Sequence, residues 1–160
     1  MRTGRSRGQG LVEFALVLPV LLLVLFGVID LGRAVYAYST ITNAARTGSR
    51  VAIVDQDTST TCTNVPVPAK CAAANQAVAL GITPSNVTIT FCTTDKDCVT
   101  DPSQVCTTVK IIDCEAVVTV PYTFTLITPV LSAIFPDPPG LLLSSTTKMA
   151  VERLCKANCP

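Results

Sequence analysis

The chain contains no histidine and no tryptophan, and only 5% of its residues are aromatic. Without histidine it lacks the commonest general base and a common zinc ligand, and we find no nucleophile elbow or phosphate-binding glycine loop. Charged residues make up 14% of the chain, and its formal net charge of +1 argues against nucleic-acid binding. We therefore predict that the protein is not an enzyme, binds no nucleic acid, and has no catalytic residue, cofactor or metal.

An almost unbroken apolar run covers residues 11–29, and Glu13 is its only charged residue. As a helix this run would be roughly 28 Å long, close to the hydrocarbon thickness of a bilayer. A carboxylate at mid-membrane costs about 2.5 to 3.5 kcal/mol, so Glu13 needs either a cationic partner or a position at the headgroups. The run predicts a transmembrane helix, in which Pro19 is either a tolerated bend or a bend used in subunit packing.

The residues around the start of this run form a recognisable motif. Three arginines precede Gly8, and Glu13 and Phe14 stand fifth and sixth after it. This leader resembles that of prepilins cut after a glycine. The sequence from residue 8 to 54, which begins GQGLVEFALVLPV, resembles the TadE-like family of minor pseudopilins from Flp-type, tight-adherence pilus systems. The similarity is weaker at residues 117–136 and 141–153.

The resemblance implies cleavage by a prepilin peptidase between Gly8 and Gln9. It further implies that Glu13, with Phe14 beside it, meets the N-terminal amine of an adjacent subunit. The implied function is that of a membrane-inserted structural subunit in the assembly of a type IVb adhesive pilus on a bacterial surface. Its implied partners are other pilin and pseudopilin subunits, the pilus assembly machinery, the peptidase and the lipid bilayer.

Three alternatives remain open for the same residues. The protein could instead be a single-pass membrane-anchored binding module outside any pilus, in which case residues 1–8 would be retained. The apolar run could also be a secretory signal peptide cut after Ser39, although such a peptide usually has an apolar core of only about 7 to 15 residues. Likewise, Glu13 could simply lie at the headgroup level without a partner.

Cysteines occur only after the apolar run, and their number is even. An even set on one side of a membrane segment predicts disulfides in an oxidising compartment, in preference to metal sites or free thiols. With arginines ahead of the run, this predicts a cytoplasmic N-terminus and a single membrane crossing, and the resemblance implies that the membrane is the inner (cytoplasmic) one. The disulfide candidates are Cys62, Cys71, Cys92, Cys98, Cys106, Cys114, Cys155 and Cys159.

Periodicity predicts an α+β fold, with a long N-terminal helix packed on a small antiparallel sheet of about four strands and stabilised by disulfides. We divide the chain into a leader (1–8), a long helix (9–54) and an extracytoplasmic domain (55–160). Alternation predicts strands at residues 87–92, 105–112, 116–124 and 141–153, with short helices at 71–80 and 126–135. Beyond the membrane we expect Asp30 to pair with Arg33. We also expect one apolar helix face to lie on the sheet: Leu31, Val35, Tyr38, Ile41, Ala45, Gly48 and Ala52.

Overall fold

The computed structural model describes residues 8–63, 66–93, 114–128 and 140–151. It confirms the α+β class, with a long N-terminal helix and an antiparallel sheet. The described sheet has three strands where about four were expected, and the predicted strand at residues 105–112 lies outside the described residues. The elements are α1 (Gln9–Ala52), α2 (Ala69–Gln76), short 3₁₀ helices at Val78–Leu80 and Pro84–Asn86, β1 (Thr88–Thr93), β2 (Cys114–Phe124) and β3 (Leu141–Ala150).

The chain divides into two compact units. The described parts of the first unit are residues 8–35, 125–128 and 140–141, and those of the second are residues 36–63, 66–93, 114–124 and 142–151. Helix α1 is 44 residues long, and Pro19 lies inside it without ending it. The predicted helix at residues 126–135 falls mostly outside the described residues, and its first three positions are not helical.

Three antiparallel strands form the sheet of the second unit, in the order β1-β2-β3. The β1–β2 register runs from Thr88 opposite Thr119 to Thr93 opposite Cys114. On the other edge of β2, the Thr119 and Thr146 hydroxyls are 3.0 Å apart and the Val151 N–H donates to the Cys114 carbonyl at 2.9 Å. Because residue numbers fall along β3 as they rise along β2, this pair is antiparallel as well.

Small side chains build the core of the second unit. Alternate residues of β2 face this core, as the period of a half-buried strand requires. Alanines on α1 and α2 leave room for the helices to lie close to the sheet. Gly81, with φ of 71°, ends the 3₁₀ helix at Val78–Leu80 in a left-handed conformation that glycine adopts readily. The buried cluster consists of Ile41, Ala44, Ala45, Ala52, Ala69, Ala73, Ala77, Ile82, Val87, Ala116, Val118 and Val120.

The expectation for the apolar face of α1 is correct for one half and wrong for the other. Ile41, Ala45, Gly48 and Ala52 are buried as predicted. By contrast, the side chains of Leu31, Val35 and Tyr38 are each more than half exposed. A spacing of three and four identifies an apolar face, but it does not distinguish a face covered by the protein's own sheet from one covered by something else.

Candidate functional site

The motif at the N-terminus coincides with the start of α1. Gly8 lies in a turn, Gln9 is the first helical residue, and the Val12 N–H donates to the Gly8 carbonyl at 3.2 Å. A Cβ atom added at Gly8 or at Gly10 would meet nothing within 4 Å. The bond between Gly8 and Gln9, predicted to be the cleavage site, therefore lies at the boundary between turn and helix.

Glu13 and Phe14 are exposed on the second turn of α1. Their neighbours Leu11, Val12 and Leu16 are exposed apolar side chains. Within the part of the chain that the structure describes, Glu13 has no hydrogen-bond or ion-pair partner. The carboxylate thus stands on an apolar helix surface with nothing from its own chain to compensate its charge.

Helix α1 is long and apolar enough to cross a membrane, and its most apolar part is not buried. A soluble protein's core helix would be mostly buried, which this segment is not. An N-terminal signal sequence can also satisfy the criterion of length and apolar composition. The apolar run at residues 11–29 is therefore a candidate membrane span, and we refer to it below as the span.

At the end of the span, Asp30 is buried and holds a second segment of the first unit. Its carboxylate accepts hydrogen bonds from the Thr128 hydroxyl at 2.6 Å, the Thr128 N–H at 3.0 Å and the Ile127 N–H at 3.1 Å. The Arg33 guanidinium lies 3.3 Å from the same carboxylate, which confirms the predicted pair, and it also donates to the Thr125 carbonyl at 3.4 Å. Several donors together compensate a buried carboxylate.

We name this arrangement the Asp30 latch, formed by Asp30, Arg33 and residues 125–128. Sequence reasoning identified Asp30 and Arg33 but placed them only at the membrane boundary, and it missed Thr125, Ile127 and Thr128. The Ile127 and Thr128 donors lie 97 and 98 residues from Asp30 along the chain, so no local spacing reveals them. The available signal was a lone aspartate directly after an apolar run, which requires donors from elsewhere when it is buried.

Two of the cysteine candidates form a disulfide, Cys62 with Cys71, nine residues apart. It joins the loop after α1 to the first turn of α2. Cys92 and Cys114 are also disulfide-bonded, and both are buried. The candidates Cys98, Cys106, Cys155 and Cys159 lie outside the described residues.

A shallow groove of about 250 Å³ opens on the second unit. It is lined by Leu80, Gly81, Ile82, Asn86, Pro121, Tyr122 and Thr123, none of which carries a charge. Such a lining offers no pair of acid and base, and a site for a drug-sized ligand usually encloses more than about 300 Å³.

Comparison with known protein families agrees with the resemblance drawn from the sequence. Residues 8–50 match the model of a family described as TadE-like protein. The matched range begins at the glycine of the proposed cleavage site and contains nearly all of α1. No curated protein and no solved structure matches the chain.

Proposed function

We propose that this protein is a minor pseudopilin, a membrane-inserted structural subunit that takes part in assembling a Flp-type, type IVb adhesive pilus. The match to the TadE-like family and the candidate membrane span support this role. The observation that carries the proposal is Glu13, an exposed carboxylate without a partner in the described part of its own chain, four residues after the start of α1. A group of this kind gains most from a cation supplied by a neighbouring subunit.

Cleavage after Gly8 would create that cation. The new N-terminus at Gln9 carries an ammonium group, and the Val12 N–H loses the Gly8 carbonyl that accepts its hydrogen bond. The first turn of the mature helix then presents unpaired N–H groups together with a positive charge, and both attract a carboxylate. Since Gln9 and Glu13 are one turn apart, two parallel helices paired in this way would be offset by about 6 Å.

The partners and the placement follow from the same proposal. The Arg residues ahead of Gly8 favour a cytoplasmic N-terminus, and the disulfides favour an oxidising compartment for residues 55–160. The subunit would lie in the inner membrane, contact other pilin and pseudopilin subunits there, and serve as a substrate of the prepilin peptidase. Its own role would be structural and not enzymatic.

N-terminal sequencing of the membrane-extracted protein tests the proposal. We expect the mature chain to begin at Gln9. The variant Gly8→Val should retain the leader because a branched side chain would obstruct the cleavage site, whereas the matched variant Gly10→Val should still be cut. A wild-type chain beginning at Met1 would favour the anchored binding module instead, and one beginning at Thr40 would favour a secretory signal peptide.

A further inference from the structure

The Asp30 latch presents an apolar side chain, that of Ile127, which the described residues leave largely exposed. Ile127 donates its backbone N–H to the Asp30 carboxylate at 3.1 Å, yet the residue is 59% exposed. Thr128, directly after it, is buried and donates twice to the same carboxylate. The backbone of the segment is therefore held against α1 while the Ile127 side chain remains open to whatever surrounds the helix.

The position of Asp30 along α1 indicates which part of the membrane surrounds the Ile127 side chain. Asp30 follows the last residue of the span, whose helical length of roughly 28 Å fills a hydrocarbon layer of about 30 Å. The headgroup layers add about 5 to 8 Å on each side. Because the Ile127 N–H lies within hydrogen-bond distance of the Asp30 carboxylate, Ile127 is held at the level where the helix passes from acyl chains into headgroups.

The hydrogen bonds of the latch allow the Asp30 carboxylate to lie at the boundary between acyl chains and headgroups. A carboxylate with unmet acceptors would oppose burial near the acyl chains, whereas Asp30 has the Thr128 hydroxyl, two backbone N–H groups and the Arg33 guanidinium around it. The Arg33 side chain is 41% exposed, so its guanidinium can also reach lipid phosphates. An aliphatic side chain beside these groups gains free energy when it leaves water for the acyl boundary.

We propose that residues 125–128, pinned to α1 by Asp30, form a second membrane contact, in which Ile127 enters the boundary between headgroups and acyl chains. The occupant is lipid because the segment is tied to the residue that directly follows the span. This inference rests on the proposed membrane insertion of α1. It assigns a role to the latch that pilus assembly alone does not require.

The absence of tryptophan makes the contact measurable, because one introduced tryptophan reports its surroundings without background. Ile127→Trp, Val20→Trp and Val78→Trp would each be prepared in the full chain and reconstituted into phosphatidylcholine vesicles. The three replaced residues are 59%, 64% and 64% exposed, which makes them matched sites. The quenchers would be lipids labelled at the headgroup, lipids brominated near the end of the acyl chain, and acrylamide in the water phase.

We expect Ile127→Trp to be quenched severalfold more by headgroup-labelled lipid than Val78→Trp, which lies in the second unit and controls for tryptophan's own affinity for interfaces. Val20→Trp should be quenched mainly by the deeply brominated lipid. If the deeply brominated lipid quenches Val20→Trp while Ile127→Trp is quenched no more than Val78→Trp, the span inserts into the membrane but residues 125–128 do not contact it, and this inference is wrong. If Val20→Trp is not quenched by lipid at all, the span fails, and both the proposed function and this inference fail with it.

The positioning role of Asp30 is tested in the Ile127→Trp background. Ile127 donates to one Asp30 carboxylate oxygen and Thr128 to the other, so Asp30→Asn, which replaces one oxygen with a donor, cannot accept from both residues. Thr128→Val removes the hydroxyl donor while keeping the side-chain shape. Each change should lower quenching by headgroup-labelled lipid severalfold and raise quenching by acrylamide. Unchanged quenching in both variants would show that Asp30 does not hold Ile127 in the membrane.

Discussion

At the scale of residues, two carboxylates on α1 have opposite surroundings. Asp30 is buried and accepts hydrogen bonds from the Thr128 hydroxyl and two backbone N–H groups, with Arg33 beside it. Glu13 is exposed and has no partner in the described part of the chain. A charge whose donors come from its own chain stabilises the fold, whereas a charge without them requires a donor from outside. The two residues therefore have different functions although both are acids at the ends of one apolar run.

Gly48 shows how close the packing of α1 is in the second unit. A Cβ atom at this position would lie 2.9 Å from the Cβ of Ala73 and 3.2 Å from a methyl group of Val118. Overpacking typically costs 1 to 3 kcal/mol, and because the short contact is with the Cβ of Ala73 and not with the end of a flexible side chain, we expect about 2 to 3 kcal/mol here. The better helix propensity of alanine returns about 1 kcal/mol. We expect Gly48→Ala to lower the free energy of unfolding by about 1 to 2 kcal/mol, measured by chemical denaturation of the detergent-solubilised protein.

Gly32 on the same helix provides the matched control. A Cβ atom added there would meet nothing within 4 Å. Gly32→Ala should therefore leave the free energy of unfolding unchanged or raise it slightly, because only helix propensity changes. Equal stability of the Gly48→Ala and wild-type proteins would show that the close approach to Ala73 and Val118 is not tight in solution.

At the scale of elements, the sequence predicted the helices and strands that a local pattern of residues determines. The apolar run and the alternating patterns predicted α1, β1 and β2 to within two residues at their boundaries. The helix predicted at residues 71–80 is instead α2 (Ala69–Gln76) and a separate 3₁₀ helix (Val78–Leu80), and Gly81 ends the latter. The face at Leu31, Val35 and Tyr38 was predicted wrongly because apolar spacing does not identify the covering partner. The Asp30 latch was missed because its partners come from a segment nearly 100 residues later, and periodicity contains no information on such contacts.

The disulfide between Cys62 and Cys71 links the loop after α1 to the first turn of α2. It closes a short loop, for which the loss of chain entropy in the unfolded state predicts a stabilisation of about 2 to 3 kcal/mol. We expect Cys62→Ala with Cys71→Ala to lower the free energy of unfolding by that amount in denaturant titrations without reductant. Thr63→Ala, an exposed change in the same loop, is the control and should have almost no effect. A double variant as stable as wild type would refute a stabilising role for this bond.

At the scale of the whole molecule, the chain combines a helix that is exposed along its apolar run with a disulfide-bonded unit whose core is built from small side chains. One compact unit contains the span and the Asp30 latch, and the other contains the sheet. This division fits a subunit that inserts through α1 and meets its neighbours within the membrane. The central claim is that Glu13 provides the contact with those neighbours.

Replacing Glu13 with glutamine tests that claim most directly. The amide is polar but uncharged, so membrane insertion should be unaffected, while the attraction to a neighbouring amine in a low-dielectric layer is lost. Glu13→Asp retains the charge and should retain part of the association. Glu115→Gln, a change on β2 far along the chain, controls for the loss of a carboxylate elsewhere.

The measurement is the recovery of crosslinked pilus subunits with each variant, after equal amounts have been confirmed in the membrane fraction. We expect Glu13→Gln to recover severalfold fewer partner subunits than wild type, Glu13→Asp to recover an intermediate amount, and Glu115→Gln to match wild type. Equal recovery with Glu13→Gln and wild type would contradict the account, because Glu13 would then be an ordinary residue at the membrane surface.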